Sequence, residues 1–286
     1  MEYALRNDKI MPKADITISL EDRGYQFGDG IYEVIRFYDG ELFHLDAHLA
    51  RLDISARQIN LTLPLSMDAL ARRLKELTAL SKIGDGKIYL QITRGVSRRA
   101  HAFPEETEPL LTAYTEEVAR PLSQLATGIG AITVQDNRWL RVDIKSLNLL
   151  PNVLAKQKAK EAGAVEAIFI RDGHVTEASA SNVFGIRNGV IYTHPVSPFI
   201  LNGITRQALK VLAEKVGIQW VDEAFTEQEL MEMDEVIMTN TVLEVCPVIS
   251  INGQPVGKGQ PGQHTIRLQQ AFAEEIAVLK RGKVDA

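Results

Sequence analysis

Chemistry in this chain starts with lysine. Lys145 sits in Trp139–Asn152, WLRVDIKSLNLLPN, among Val142, Ile144, Leu147, Leu149 and Leu150. An amine in so apolar a frame is costly unless it has a partner or a task. Desolvation favours its neutral form, and a neutral amine can attack a carbonyl to form a Schiff base. The plain alternative is a lysine at the end of a buried strand whose ammonium reaches water. A second segment, Val175–Phe184, places the carboxylate of Glu177 before a run of small residues rich in hydroxyls, Ala-Ser-Ala-Ser-Asn. Such a run can pass close beneath a planar ligand, or be an ordinary strand-to-loop transition.

Two cationic or anion-accepting features accompany them. Leu201-Asn-Gly-Ile-Thr-Arg206 opens a helical pattern, with Gly203 for close approach and the Thr205 hydroxyl. Free first-turn amides and the positive end of the helix dipole suit a phosphate there, and a plain N-cap would have the same letters. In Arg94-Gly-Val-Ser-Arg-Arg-Ala-His101 an extended backbone projects Arg99 and His101 to one side and Arg98 to the other. Two cationic donors on one side can hold a carboxylate; a solvated basic loop is the alternative. The familiar GxSxG, HExxH, P-loop and GxGxxG signatures are absent, and Gly28-Asp-Gly30 is too short to mean anything alone. The six histidines and one cysteine show no metal-ligand spacing, so no metal is expected.

The elements that must hold these residues are readable in outline. Asp39-Gly40, Asp172-Gly173, Asn188-Gly189 and Asn252-Gly253 carry the positive-φ signature of tight hairpins. They predict Ile31–Tyr38 paired with Glu41–His44, Val165–Arg171 with His174–Glu177, and Asn182–Arg187 with Val190–His194. Lys87–Arg94 and Pro109–Thr115 read as further strands. Helical spacing appears at Leu49, Leu52, Ala56 and Ile59 behind Asp46 as cap, and at Leu70, Leu74 and Leu77 behind Ser66. Thr205 is expected to open a third helix carrying Ala208, Leu209, Leu212 and Val216, closed by Gly217. Thr226-Glu-Gln-Glu229 has capping-box form, and a last helix is expected from Gln263 to Lys280.

Strands and helices mix without a βαβ rhythm, which predicts an α+β chain with largely antiparallel sheets. The 286 residues allow one large or two ordinary domains. The polar, proline-containing Glu116–Ser123 is the expected linker, dividing a smaller N-terminal domain, 1–118, from a larger C-terminal one, 119–286. A hydrophobic fraction of 45% with 24% charged residues excludes a disordered or fibrous chain. The net charge of −5 gives no general reason to bind nucleic acid or an anionic membrane. No apolar run approaches the ~20 residues of a membrane helix. The N-terminus lacks a signal-peptide pattern, and the lone Cys246 reads as a small buried hydrophobe. Together these predict a cytoplasmic protein.

In order and spacing these segments resemble the fold-type IV aminotransferases that use pyridoxal 5′-phosphate (PLP), and among them the D-amino acid transaminases. The resemblance runs through Glu21–Glu33, Arg94–Pro104, Arg138–Leu150, Val175–Gly185, Tyr192–Pro195 and Asn202–Arg206. It implies a two-domain fold: a smaller α/β N-terminal domain and a larger C-terminal, PLP-binding domain. It implies that Lys145 holds PLP as a Schiff base and that Glu177 pairs with the pyridine nitrogen. Arg51, Ile204, Thr205 and Thr241 would form the phosphate cup, with Leu201 against the ring. Tyr32, Arg99 and His101 would trap the substrate α-carboxylate, the arginine-x-histidine pair separating D-amino acid enzymes from branched-chain ones. The implied reaction is ping-pong transamination between a D-amino acid (D-alanine or D-glutamate) and a 2-oxo acid (2-oxoglutarate or pyruvate). A homodimer is implied, in which Arg99 and His101 can act on the neighbouring chain's cofactor. Alternatives within the fold are a branched-chain L-amino acid aminotransferase and an aminodeoxychorismate lyase; outside it, a non-catalytic protein binding PLP or another phosphometabolite. The chain departs from the pattern at Ala180, which breaks the serine run, at the bulky Val242 and Leu243 after Thr241, and at the extra charge of Arg98.

Overall fold

A computed structural model of the chain describes residues 2–282. Contacts group the chain into two compact units. Unit 1 holds the described residues up to Ala119, the pentapeptide Ile144–Asn148, and the described residues from Leu279 onward. Unit 2 holds Arg120–Asp143 and Leu149–Val278. The first break, between Ala119 and Arg120, lies within the expected linker Glu116–Ser123. A single cut after 118, however, leaves no room for the return of Ile144–Asn148 to unit 1.

Unit 1 contains β1 (Tyr3–Arg6), β2 (Lys9–Pro12), α1 (Arg23–Phe27), β3 (Gly30–Tyr38), β4 (Glu41–Leu42), α2 (Leu45–Gln58), α3 (Met67–Ser81), β5 (Gly86–Thr93) and β6 (Leu110–Glu117). Its strands form an antiparallel sheet in the order β2-β1-β6-β5-β3-β4. Side chains alternate along β3, so Ile31, Ile35 and Phe37 join Leu49, Leu52, Leu70, Leu74 and Leu77 of the helices in one apolar core. The helical stripes expected from the leucine spacing face inward as predicted.

Unit 2 contains α4 (Leu122–Thr127), β7 (Ile129–Gln135), α5 (Leu150–Glu161), β8 (Glu166–Arg171), β9 (His174–Ala178), β10 (Asn182–Arg187), β11 (Val190–Thr193), α6 (Ile204–Lys215), β12 (Gln219–Asp222), α7 (Glu227–Met231), β13 (Glu235–Asn240), β14 (Glu244–Ile251) and β15 (Gln254–Pro255). The last helix, α8 (Gln263–Gly282), begins in unit 2. The sheet runs β12-β11-β10-β13-β14-β7-β8-β9, with β15 on β14. It is largely antiparallel, as expected. The exceptions are β7, parallel to both β14 and β8, and β12, parallel to β11.

Turns and caps divide by how local they are. All four Asx-Gly pairs have positive φ at both residues, from Asp39 (52°) and Gly40 (79°) to Asn252 (52°) and Gly253 (77°). Ser66 caps α3 through the Ala69 amide, and Thr226 with Glu229 closes the capping box of α7. Asp46 does not cap α2: the N-cap is His44 in the left-handed region, and Asp46 lies in the first turn, where its charge still meets the helix dipole. Nor does Thr205 open α6. Ile204 does, after Gly203 as a cap without a side-chain bond. Cys246 is buried in the unit 2 core, and burial pushes its thiol up to about 12. Among the described residues no helix is long and apolar enough to cross a membrane, and no His/Cys/Asp/Glu group could hold a metal ion.

Candidate active site

Lys145 is not on a strand, contrary to the expectation of a buried strand end. It lies in an irregular stretch whose one ladder contact is the bridge between Ser146 and Ile31 of β3. The segment is held to unit 1 by its backbone: Lys145 O accepts from Tyr32 N (3.1 Å) and Leu147 N donates to Gly30 O (3.1 Å). The Asn148 amide donates to Gly28 O (3.2 Å). The glycine pair that was uninformative in sequence makes this docking possible. Gly28 has φ +66°, and a Cβ there would lie 2.7 Å from Asn148 Oδ1; one on Gly30 would meet Leu147 at 2.8 Å. These hydrogen bonds seat the backbone of the segment, and Lys145 Nζ lies 4.2 Å from the centroid of the Tyr32 ring.

Behind the lysine segment lies a buried charge triad that sequence reasoning missed. Glu33 of β3 is fully buried and takes two bonds from Arg51 of α2, Nε to Oε1 and Nη2 to Oε2, both 2.8 Å. His48 Nδ1 meets Glu33 Oε2 at 2.7 Å. Burial opposes the charge of Glu33, yet Arg51 and His48 hold its carboxyl down to about 2. Burial also drives the imidazole of His48 below its ordinary value, against the pull of Glu33. Arg51, expected at the phosphate, therefore has its orientation set by Glu33. The spacing of Glu33, His48 and Arg51 carried no sequence signal, because β3 and α2 meet only in the fold.

Arg99 and His101 belong to the loop 94–109. Both approach the Phe27 ring, the Arg99 guanidinium 5.0 Å from its centroid and the His101 ring 5.7 Å, edge-on. The segment is irregular, not the extended strand that the alternation assumed, yet both side chains approach one ring; both are exposed, as is Arg98. Arg23 fixes their backbone by donating to the carbonyls of Ala100 (2.7 Å), His101 (3.3 Å) and Ala102 (3.3 Å). Asp29 braces Arg23 and Arg94 together.

In unit 2, Glu177 of β9 is buried and accepts three bonds. Arg138 Nη1 reaches Oε1 (2.5 Å); the Asn182 amide (3.1 Å) and Leu201 N (3.0 Å) reach Oε2. Burial raises the Glu177 carboxyl above its usual value, with Arg138 pulling the other way. Arg138 is shared: Asp136 takes its Nε (2.9 Å) and Nη2 (2.8 Å), and is itself held down to about 2 by Arg138 and Arg171 despite burial. Leu201 is tied to the carboxylate through its amide and to Asn182 through its carbonyl (2.8 Å), and Gly203 follows. A Cβ on Gly203 would fall 2.2 Å from Asn182 Oδ1, so only glycine brings the start of α6 this close. Ile204 and Thr205 stand in the first turn of α6, both buried. Thr241 lies in a turn with Val242 and Leu243, whose amides both donate to Asn240 Oδ1 (2.7 Å each). Leu243 is core, in one cluster with Val183, Met238 and Cys246, and Ala180 is exposed. The bulk of Leu243 therefore answers to packing.

The donors of unit 2 suit a phosphorylated pyridine. Unit 2 offers one buried carboxylate for a protonated ring nitrogen, tied through Leu201 to a helix N-terminus suited to a phosphate. Unit 1 offers an amine beside a phenol and an arginine of fixed orientation.

The chain matches the family model Amino-transferase class IV over residues 30–251 and belongs to that family. It is 50% identical over 272 residues to the D-alanine aminotransferase of Bacillus licheniformis, covering 95% of this chain and 96% of that one. It is 47% identical over 277 residues to the D-alanine aminotransferase of Staphylococcus aureus strain COL, covering 96% and 98%. Among solved structures, the branched-chain amino acid aminotransferase of Escherichia coli superposes with a TM-score of 0.90 at 26% identity, covering 96% of this chain and 94% of that one.

Proposed function

We propose that the chain exchanges an amino group between a D-amino acid and a 2-oxo acid, with PLP as resident cofactor and D-alanine, D-glutamate, pyruvate and 2-oxoglutarate as substrates. The observation that carries this reading is half-identity, nearly end to end, to a D-alanine aminotransferase. When bound, PLP supplies an electron sink for the carbanion left at the substrate Cα.

The chain's own residues do the rest. Lys145 holds the cofactor through Nζ and moves the Cα proton. Glu177 keeps the proton on the ring nitrogen; its carboxylate sits where a further cation is welcome, because Arg138 is divided with Asp136. Arg51, Ile204, Thr205 and Thr241 would hold the phosphate, and Leu201 would face the ring. Tyr32, Arg99 and His101 grip the α-carboxylate, which sets the hydrogen presented to Lys145 and so the hand of the substrate. The exposure of Arg99 and His101 supports their acting from a second copy of the chain. Leu150, Val153 and Leu154 of α5, on one helix face and each more than half exposed, support the same homodimer. The compartment proposed is the cytoplasm.

Absorbance of the purified protein under a panel of D- and L-amino acids tests the reaction. D-alanine and D-glutamate should discharge the visible cofactor band. Reaction with L-leucine and not with D-alanine would instead favour the branched-chain activity named for the Escherichia coli neighbour.

A further inference from the structure

Unit 2 contains a further carboxylate with no exposure, Glu166 at the start of β8, which none of the roles above uses. Its partners converge from three elements. Ser179 Oγ and Lys156 Nζ (3.2 Å) reach Oε1, joined by Ala167 N (3.2 Å), and Ser181 Oγ reaches Oε2 at 3.0 Å. Both hydroxyls of the serine run thus turn to Glu166, while Ala180 between them is exposed.

The polarity of this cluster is determined. A carboxylate accepts and a hydroxyl has one proton to give, so Ser181 spends its proton on Glu166. Its remaining lone pair receives the Asn240 Nδ2 (2.9 Å). That orients the Asn240 amide, whose Oδ1 then meets the Val242 and Leu243 amides. The opposite amide orientation would set an NH2 against two N–H donors and find no acceptor there. Glu166, Ser181 and Asn240 therefore form a one-way chain ending on the turn that carries Thr241. At its other end, Ser179 is pinned by its backbone, N to Ala167 O (2.8 Å) and O from the Asn152 amide (2.9 Å).

We propose that Glu166 is a positioning residue for the cofactor. It aligns, through Ser181 and Asn240, the Thr241 turn with the small-residue run before Asn182, and so governs how tightly the phosphate is held without touching it. This rests on the reading of Thr241 as part of the phosphate cup. A glutamine at 166 can donate to Ser181 as well as accept from it, which removes the direction of the chain while keeping the shape.

PLP affinity of the apoprotein, followed by absorbance titration, tests this in Glu166→Gln, Ser181→Ala, Thr241→Ala and the pairwise doubles. The 31P signal of the bound phosphate and the Tm of each apoprotein are read alongside. Glu166→Gln and Ser181→Ala are each expected to raise the PLP Kd about tenfold, the double no further than either single, with a shifted 31P line. An unchanged PLP Kd and 31P line in Glu166→Gln, with Thr241→Ala still weakening PLP, would overturn the proposal alone, whatever the apoprotein Tm does. Independent, additive effects of Glu166→Gln and Ser181→Ala would do the same. PLP binding untouched by Thr241→Ala would overturn the cup reading and this proposal with it.

Discussion

Glu33 in unit 1 and Glu177 in unit 2 are both buried carboxylates facing an arginine, and they end with opposite acidities. Arg51 gives Glu33 two of its N–H groups and His48 adds a third contact, so the charge is answered within the fold. Arg138 gives Glu177 one N–H and gives Asp136 two, and the other donors to Glu177 are neutral. The sign of the pH linkage follows. Glu33, depressed to about 2, contributes stability above its unfolded value of 4.5 and loses it as pH falls towards 2. Glu177, raised above 4.5 by burial, destabilises the cofactor-free fold as pH rises through its elevated value. One carboxylate completes its own unit; the other is left wanting a cation, which is what a ring nitrogen can bring.

Four substitutions and one pH experiment can break this contrast. The largest effect belongs to the amine: Lys145→Ala should cut turnover by roughly four orders of magnitude, read from the D-alanine reaction, with the Tm little changed. Glu177→Gln should lower turnover by about 10²–10³-fold with a smaller loss of folding stability. Comparable folding losses in Glu177→Gln and Glu33→Ala would erase the distinction drawn between them. Glu33→Ala removes the buried carboxylate that Arg51 and His48 share and should cost about 3–5 kcal/mol of stability in denaturant titrations. In the wild-type chain, stability should fall as pH drops below 6.5, where the unfolded His48 protonates before the native one. It should fall further below 4.5 by on the order of 3 kcal/mol from Glu33. An acid limb unchanged by Glu33→Ala would contradict the triad. The smallest effect is Asp136→Asn, which removes a neighbouring negative charge and releases Arg138 towards Glu177. The Glu177 carboxyl should titrate lower, by 13C NMR of the labelled side chain.

What sequence could tell about these two carboxylates was uneven, for a physical reason. Glu177 stands beside its own signal, the small-residue run, whereas Glu33 is one polar letter in a strand whose partners come from α2. Arg138 pairs with Glu177 across a separation of 39 residues, and nothing local marks it. The same rule separates the caps. Ser66 and Thr226 bond to amides three residues away and were legible. His44, in left-handed backbone, shows no cap consensus, so nearby Asp46 was read in its place. Lys145 stood out by its apolar neighbours, yet those neighbours suggested a strand where the backbone only docks on Gly28–Gly30. Arg99 and His101 stood out by their charge in one short segment, while Arg23, which sets their backbone from 77 or more residues away, did not.

The return of Ile144–Asn148 to unit 1 has a consequence for how the molecule comes into being. At a synthesis rate of about 5–20 residues per second, the ribosome makes everything up to Ala119 before the pentapeptide follows. For that interval the nascent N-terminal segment waits with Gly28 and Gly30 uncovered. A gene fragment ending at Ala119 would remain in that state permanently. Unit 1 is thus a folding unit that cannot be excised as one continuous piece, and the second of its three instalments carries the lysine.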